Sequence, residues 1–173
     1  MVQIFELLSK KSISKVLFYF LANPSDEYYA SQLQKKLKLA KNSILDALEA
    51  LEKNKILNIR EIGRIKQYRL NSDKPIVKQL KILQNIDKLR PTMKKLRDHE
   101  LEVYLYGSCA RGENKEKSDF DILILGNKHE NIAGIISNER INPLQLTFLE
   151  YSNLVRKDKP FYERIEKDKI RLI

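Results

Sequence analysis

Gly107-Ser108-Cys109-Ala110-Arg111-Gly112-Glu113, followed after a few polar residues by Ser118-Asp119-Phe120-Asp121-Ile122-Leu123-Ile124-Leu125, decides how the C-terminal part of this chain folds. Ahead of it, Leu101-Glu102-Val103-Tyr104-Leu105-Tyr106 alternates in the manner of a strand, and Gly107-Ser108 ends that strand in a turn. A short helix is expected next, with Ser108 as its cap. The free amides at the start of such a helix, together with its dipole, favour an anion the size of a phosphate. The loop 112–118 is polar, and residues 119–125 predict a second strand. Residues two apart in a strand share a face, so Asp119 and Asp121 are expected to converge on one small volume. Two such anions repel one another unless a cation lies between them. Mg2+ (or Mn2+), which takes oxygen ligands and keeps water sites open for substrate phosphates, suits that place.

Outward from this stretch, the C-terminal side predicts a helix over 132–137, a strand over 141–147, a terminal helix over 151–168 and a short closing strand at 170–173. On the N-terminal side, Leu80, Leu83, Leu89, Met93 and Leu96 have helical spacing with seven lysines and arginines among them. They predict a connecting helix over 76–97, kinked or restarted at Pro91, which has no amide to donate. Further back, residues 12–22 predict a buried helix, 31–37 a short one capped by Ser31, and 41–53 an amphipathic one with Ile44, Ala47, Leu48 and Leu51 on a single face. Two runs, 56–62 and 65–70, then meet at Gly63-Arg64 as a hairpin. The expected class is α+β: three helices and a hairpin over 1–75, the connecting helix over 76–97, and a small mixed-sheet domain over 98–173.

The N-terminal order, with Tyr29-Ala30-Ser31-Gln32-Leu33, the helix ending Leu48-Glu49-Ala50-Leu51-Glu52-Lys53-Asn54-Lys55-Ile56-Leu57 and the hairpin, resembles the winged helix-turn-helix regulators over residues 10–72. The resemblance implies binding to double-stranded DNA. Lys41, Asn42 and Ser43 would open the helix that enters the major groove, and Arg60, Arg64, Lys66 and Tyr68 would line the wing along the phosphates. Asp46 and Glu49, on the exposed side of that helix, would repel phosphate unless they accept from cytosine amino groups. Winged-helix modules often dimerise, so a homodimer is expected.

The C-terminal motif, a Gly-Ser pair and then Asp-x-Asp in an apolar strand, resembles the signature of minimal nucleotidyltransferases of the DNA polymerase β superfamily over residues 98–173. The resemblance implies transfer of a nucleoside monophosphate from a nucleoside triphosphate to a hydroxyl. Gly107 and Ser108 would hold the triphosphate, Arg111 would order the loop or contact phosphate, and Asp119 and Asp121 would be the catalytic, metal-binding pair. The family also supplies a third carboxylate from a later strand. Here the strand over 141–147 offers only Asn142, taken as a metal ligand, or Gln145, and no acid precedes Glu150, which is read as beginning a helix. That departure keeps a second reading open, a DNA-binding regulator whose transferase-like domain is weak or inactive and senses nucleotide or mediates assembly. By analogy with small nucleotidyltransferases that act as antitoxins, a protein acceptor is a third.

Charge bears on the partners. The chain carries +10 with a sequence pI of about 9.6, distributed as +6 over 1–75, +6 over 76–97 and −2 over 98–173, so a polyanion is expected at the front and not at the rear. One cysteine, Cys109, excludes an intrachain disulfide, and the two histidines, His99 and His129, do not rescue a zinc site. Cys109 is expected to be a small buried residue and the histidines to be at the surface. No apolar run approaches the roughly 18 to 20 residues needed to span a bilayer, and no leader pattern opens the chain, which reads as cytoplasmic.

Overall fold

The structure is a computed structural model that describes residues 4–127, 132–136 and 140–173. The chain divides into two compact units, one reaching Lys78 and the other beginning at Gln79.

The first unit contains helices α1 (Ile4–Ser9) and α2 (Lys11–Ala22), strand β1 (Glu27–Tyr29), helices α3 (Ala30–Leu37) and α4 (Lys41–Lys53), and strands β2 (Leu57–Ile62) and β3 (Ile65–Leu70). Its core is the apolar stripe of each helix. Ile13, Val16, Leu17 and Phe20 of α2 meet Leu33 and Leu37 of α3 and Ile44, Ala47, Leu48 and Leu51 of α4, all buried. Burying each large side chain stabilises the unit by roughly 1.5–3 kcal/mol relative to leaving it in water. The start of α3 corrects the expected cap. Tyr29 precedes the helix, its amide donates to Gln32 Oε1 at 2.9 Å, and Ser31 lies inside the first turn. The hairpin forms as expected, closed by Gly63 at φ +61°, the glycine-first position of a two-residue turn. Strand β1 was not foreseen. Its three residues are too few for an alternation to register, yet it pairs with β3 to give an antiparallel sheet in the order β1-β3-β2, with Tyr28 opposite Tyr68.

Helix α5 (Pro75–Leu96) continues into the second unit, and helical structure runs on through Pro91. The expected boundary near Asp98 therefore moves to about Gln79, because Leu89, Met93 and Leu96 are buried in the C-terminal core. Strand β4 (Glu102–Tyr106), the single turn α6 (Gly107–Ala110), β5 (Phe120–Leu125), α7 (Ile132–Ile135), β6 (Ile141–Leu146), helices α8 (Phe148–Lys157) and α9 (Lys159–Asp168), and β7 (Ile170–Arg171) follow. His129, and Ser137 of the expected 132–137 helix, lie outside the described residues. The sheet order is β6-β5-β4-β7, with β5 and β6 parallel and the other pairs antiparallel.

Both faces of this sheet are covered, which explains why β5 reads as a nearly unbroken apolar run. Ile122 and Ile124 face the α5 side with Val103 and Leu105, while Leu123 and Leu125 face Tyr151 of α8 and Ile165 of α9. The single terminal helix expected over 151–168 is in fact two. Thr147 and Glu150 form a reciprocal cap at the start of α8, and Asp158 breaks the run and caps α9 by accepting from the Phe161 amide at 3.1 Å.

Candidate active site

The turn after β4 and the first residues of β5 and β6 meet at one end of the sheet. Register places Asp121 between Tyr106 of β4 and Asn142 of β6. Gly107 stands at φ +71°, and a Cβ on it would lie 2.7 Å from Oδ2 of Asp121, so any other residue there would be strained in its backbone and would push the carboxylate aside. The turn seats the carboxylate by leaving it room. Asp119 stands one residue ahead of β5 and is exposed, while its carbonyl accepts from the Cys109 thiol at 3.3 Å.

Asn142 is where a later strand would deliver a third ligand. It is exposed, opposite Asp121 in the parallel register, and its Nδ2 donates to Asp121 Oδ1 at 3.1 Å. Gln145, the alternative, is ruled out by the period of the strand. It shares the face of Ile141 and Pro143, not that of Asn142, and its Nε2 is buried with no hydrogen-bond partner among the described residues. Glu150 is engaged in the cap of α8, where its carboxylate accepts from the amide and hydroxyl of Thr147.

The segment between the two halves of the motif is held from several sides. Arg111 donates to Glu113 Oε2 at 2.9 Å and to Asp168 of α9, and these two carboxylates raise its pKa above the ordinary arginine value. Its guanidinium thus orders the loop. Ser108 does not cap the turn as expected. Tyr106 occupies the cap position without a side-chain bond, and the Ser108 carbonyl accepts from the Glu113 amide at 2.9 Å. Arg140, just before β6, donates to the carbonyls of Glu116 and, at 2.9 Å, Ser118. Burial, and then the nearby charge of Asp121, push the Cys109 thiol up to about 11, so it is a packed thiol and not a nucleophile. The same two causes raise the Tyr106 phenol.

Sequence reasoning missed Lys81 and Asn85, both buried on α5. Lys81 Nζ donates to the Asn114 carbonyl at 2.6 Å, and Asn85 Nδ2 donates to the Cys109 carbonyl and to Asn114 Oδ1, each at 2.9 Å. The signal was present as two polar residues interrupting the stripe Val77, Lys81, Asn85, Leu89, Met93 at four-residue intervals.

A scan against family models matches the nucleotidyltransferase domain over residues 86–173, half of the chain. The chain belongs to this family. Membership of the nucleotidyltransferase domain family implies a nucleoside triphosphate substrate, and such enzymes typically use divalent metals. Among solved structures, a crystal structure of a proposed nucleotidyltransferase from Sulfolobus solfataricus is 21% identical, covers 57% of this chain and 88% of its own, and superposes with a TM-score of 0.39. None of the curated proteins matches.

The donor set fits a hard divalent cation. Asp119 and Asp121 bring carboxylate oxygens and Asn142 can bring an amide oxygen, donors that suit such an ion. Among the described residues no group of three or more His, Cys, Asp or Glu side chains is placed to hold a metal.

In the first unit, Lys41 and Asn42 at the start of α4 are exposed, Ser43 is half-buried, and Asp46 and Glu49 are exposed on the same helix. Arg60, Arg64 and Lys66 are exposed, but Tyr68 is a correction, being 6% exposed and part of the core. Alternation along the hairpin explains it. Tyr68 lies on the inward face between Tyr28 of β1 and Ile59 of β2, whereas Lys66 and Glu61 share that side nearer the hairpin tip and are exposed. Among the described residues no helix is long and apolar enough to cross a membrane.

Proposed function

We propose that this protein transfers a nucleoside monophosphate from a nucleoside triphosphate to a hydroxyl, with release of pyrophosphate. The observation that carries the reading is the fit of Gly107 against Asp121, which joins the two halves of the motif in one place. Gly107 and Ser108 would receive the triphosphate at the turn after β4, and Asp119 and Asp121 would hold Mg2+ or Mn2+ with Asn142 as a neutral third ligand. The bound ion neutralises charge developing on the phosphates. The protein's own contribution is position. A two-residue strand interval aims the carboxylates, and Arg111 and Arg140 keep the intervening loop in place. An amide in place of a third acid cannot take the proton of the attacking hydroxyl, so the expected reaction is slow.

A second reading, a regulator with an inactive transferase-like domain, is favoured by one observation, the Asn142 amide donating to Asp121 at the place of the third carboxylate. Incubation with each labelled nucleoside triphosphate, Mg2+ or Mn2+, and separated nucleic-acid and protein acceptors decides between them. Transfer of label that disappears in Asp119→Asn, Asp121→Asn supports the transferase. No transfer to any acceptor, or transfer undiminished in that variant, overturns it.

The first unit is proposed to be a winged helix that places the enzyme on duplex DNA. Its support is the order of elements and the exposed Lys41, Asn42, Arg60, Arg64 and Lys66. Binding is then expected to weaken steeply with salt. No duplex binding at low salt would assign the unit to protein contacts, of which a homodimer is the expected one.

A further inference from the structure

Helix α5 buries two side chains that are among the most strongly solvated of all. Lys81 is 2% exposed and Asn85 1% exposed, one helical turn apart on the same face. Leucine or methionine would fill such a stripe with no desolvation penalty, whereas a buried ammonium or amide is costly unless it is hydrogen-bonded. Their partners therefore say what they are for. Lys81 Nζ reaches the Asn114 carbonyl at 2.6 Å. Asn85 Nδ2 reaches the Cys109 carbonyl and Asn114 Oδ1 at 2.9 Å, and Asn114 Nδ2 returns to Asn85 Oδ1 at 3.4 Å. Cys109 and Asn114 bracket the segment that leaves the Gly107-Ser108 turn and leads to Asp119. Neither Lys81 nor Asn85 lies within the 86–173 span that matches the family.

We propose that Lys81 and Asn85 are positioning residues for the nucleotide, holding the segment from Gly107 to Asn114 in the form that receives the triphosphate while the buried charge of Lys81 favours an anion there. The proposal rests on the transferase reading of the Gly107-Ser108 turn. Donors on a rigid helix fix a loop more closely than donors on a loop can, and a charge shielded from water acts on its surroundings with less screening.

The test uses the full chain. Lys81→Met and Asn85→Ser are titrated with a non-hydrolysable nucleoside triphosphate and Mg2+ by calorimetry, with hydrogen exchange followed over 107–118 and over β5. The expected result is a Kd weakened about tenfold in each variant, the loss of about one good hydrogen bond. KM should rise with kcat little changed, and exchange should quicken in the loop but not in β5. Lys81→Arg, which keeps the charge and the donor, should recover part of the affinity. Folded variants that bind nucleotide as the wild type does overturn the proposal, as does exchange that quickens equally throughout the unit, the mark of lost packing alone. If Lys81→Met does not fold, Asn85→Ser carries the test by the same readouts. A wild-type protein that binds no nucleotide overturns the transferase reading itself, and the proposal with it, before any variant is compared.

Discussion

Gly63 and Gly107, two of the three described glycines with positive φ, stand in opposite surroundings. Around Gly63, at φ +61°, nothing lies within 4 Å of where a Cβ would stand, and the flanking Ile62 and Ile65 are 46% and 59% exposed. Around Gly107, at φ +71°, the carboxylate of Asp121 fills the place of the missing Cβ, and Cys109 and Ala110 behind it are buried. At the first turn glycine meets a demand of the backbone alone. At the second it meets a demand of the backbone and one of the site. The contrast separates a turn that merely shapes a surface from a turn that builds chemistry, and it comes from what the neighbouring strand brings opposite, not from the turn residues.

The largest effect is expected at the crowded turn. Gly107→Ala adds about 1–2 kcal/mol of backbone strain to a contact that must displace Asp121, so nucleotide binding with Mg2+ should fall by about 10²-fold or more along with a lowered Tm. Calorimetry and thermal melts read both, and retained binding would show that Asp121 has freedom to move.

Next in size is Asn142→Asp. If the site lacks only a third acid, transfer should rise by about 10²-fold and metal binding should tighten, while the metal-free protein loses some stability because three carboxylates then crowd one volume. An unchanged rate with tighter metal binding would remove the missing acid as the cause of slow chemistry.

Behind the same turn, the Cys109 thiol is raised from 9.0 to about 11 by burial and by Asp121. The neutral thiol's contribution to stability is fully present below the unfolded value and is lost as pH rises from about 9 to about 11, a change on the order of 2 kcal/mol. Denaturation curves of wild type and Cys109→Ala across that range should diverge in slope, and parallel curves would mean that the crowded turn is wetter than its packing implies.

The open turn should respond least. Gly63→Ala is expected to cost only the backbone strain, about 1 kcal/mol, without touching nucleotide binding. A loss equal to that of Gly107→Ala would erase the distinction between the turns. On the same hairpin, Arg64→Ala should lower the slope of duplex affinity against salt by about one counterion, and Tyr68→Phe, in the core, should leave that slope unchanged.

Much of the C-terminal unit was legible because its decisive features are local. A strand, a glycine and two acids two apart announce themselves in one short stretch, and the strand over 141–147 that offers Asn142 pairs with β5 beside Asp121. What stayed hidden depends on partners distant in sequence. Strand β1 exists because β3 offers it an edge, and the inward turn of Tyr68 depends on a register no hairpin motif states. The caps assigned to Ser31 and Ser108 failed because a helix begins where the backbone turns, and in both cases that happened at a tyrosine two residues earlier. Lys81 and Asn85 went unread because a lysine-rich helix hides two buried polar residues among many exposed ones.

The amide of Asn142 has a further consequence. An asparagine offers a donor at one end and an acceptor at the other, and a half-rotation about its last bond exchanges them. In the orientation seen, the donor end occupies one oxygen of Asp121 and lends the carboxylate the partial positive charge that a cation would bring. Turned over, the same side chain presents an oxygen to the cation and leaves Asp121 free to bind it. On the proposed reading, the third position would thus be a stopper in one orientation and a ligand in the other. A carboxylate there would, without a cation, repel Asp121 until one of the two took up a proton.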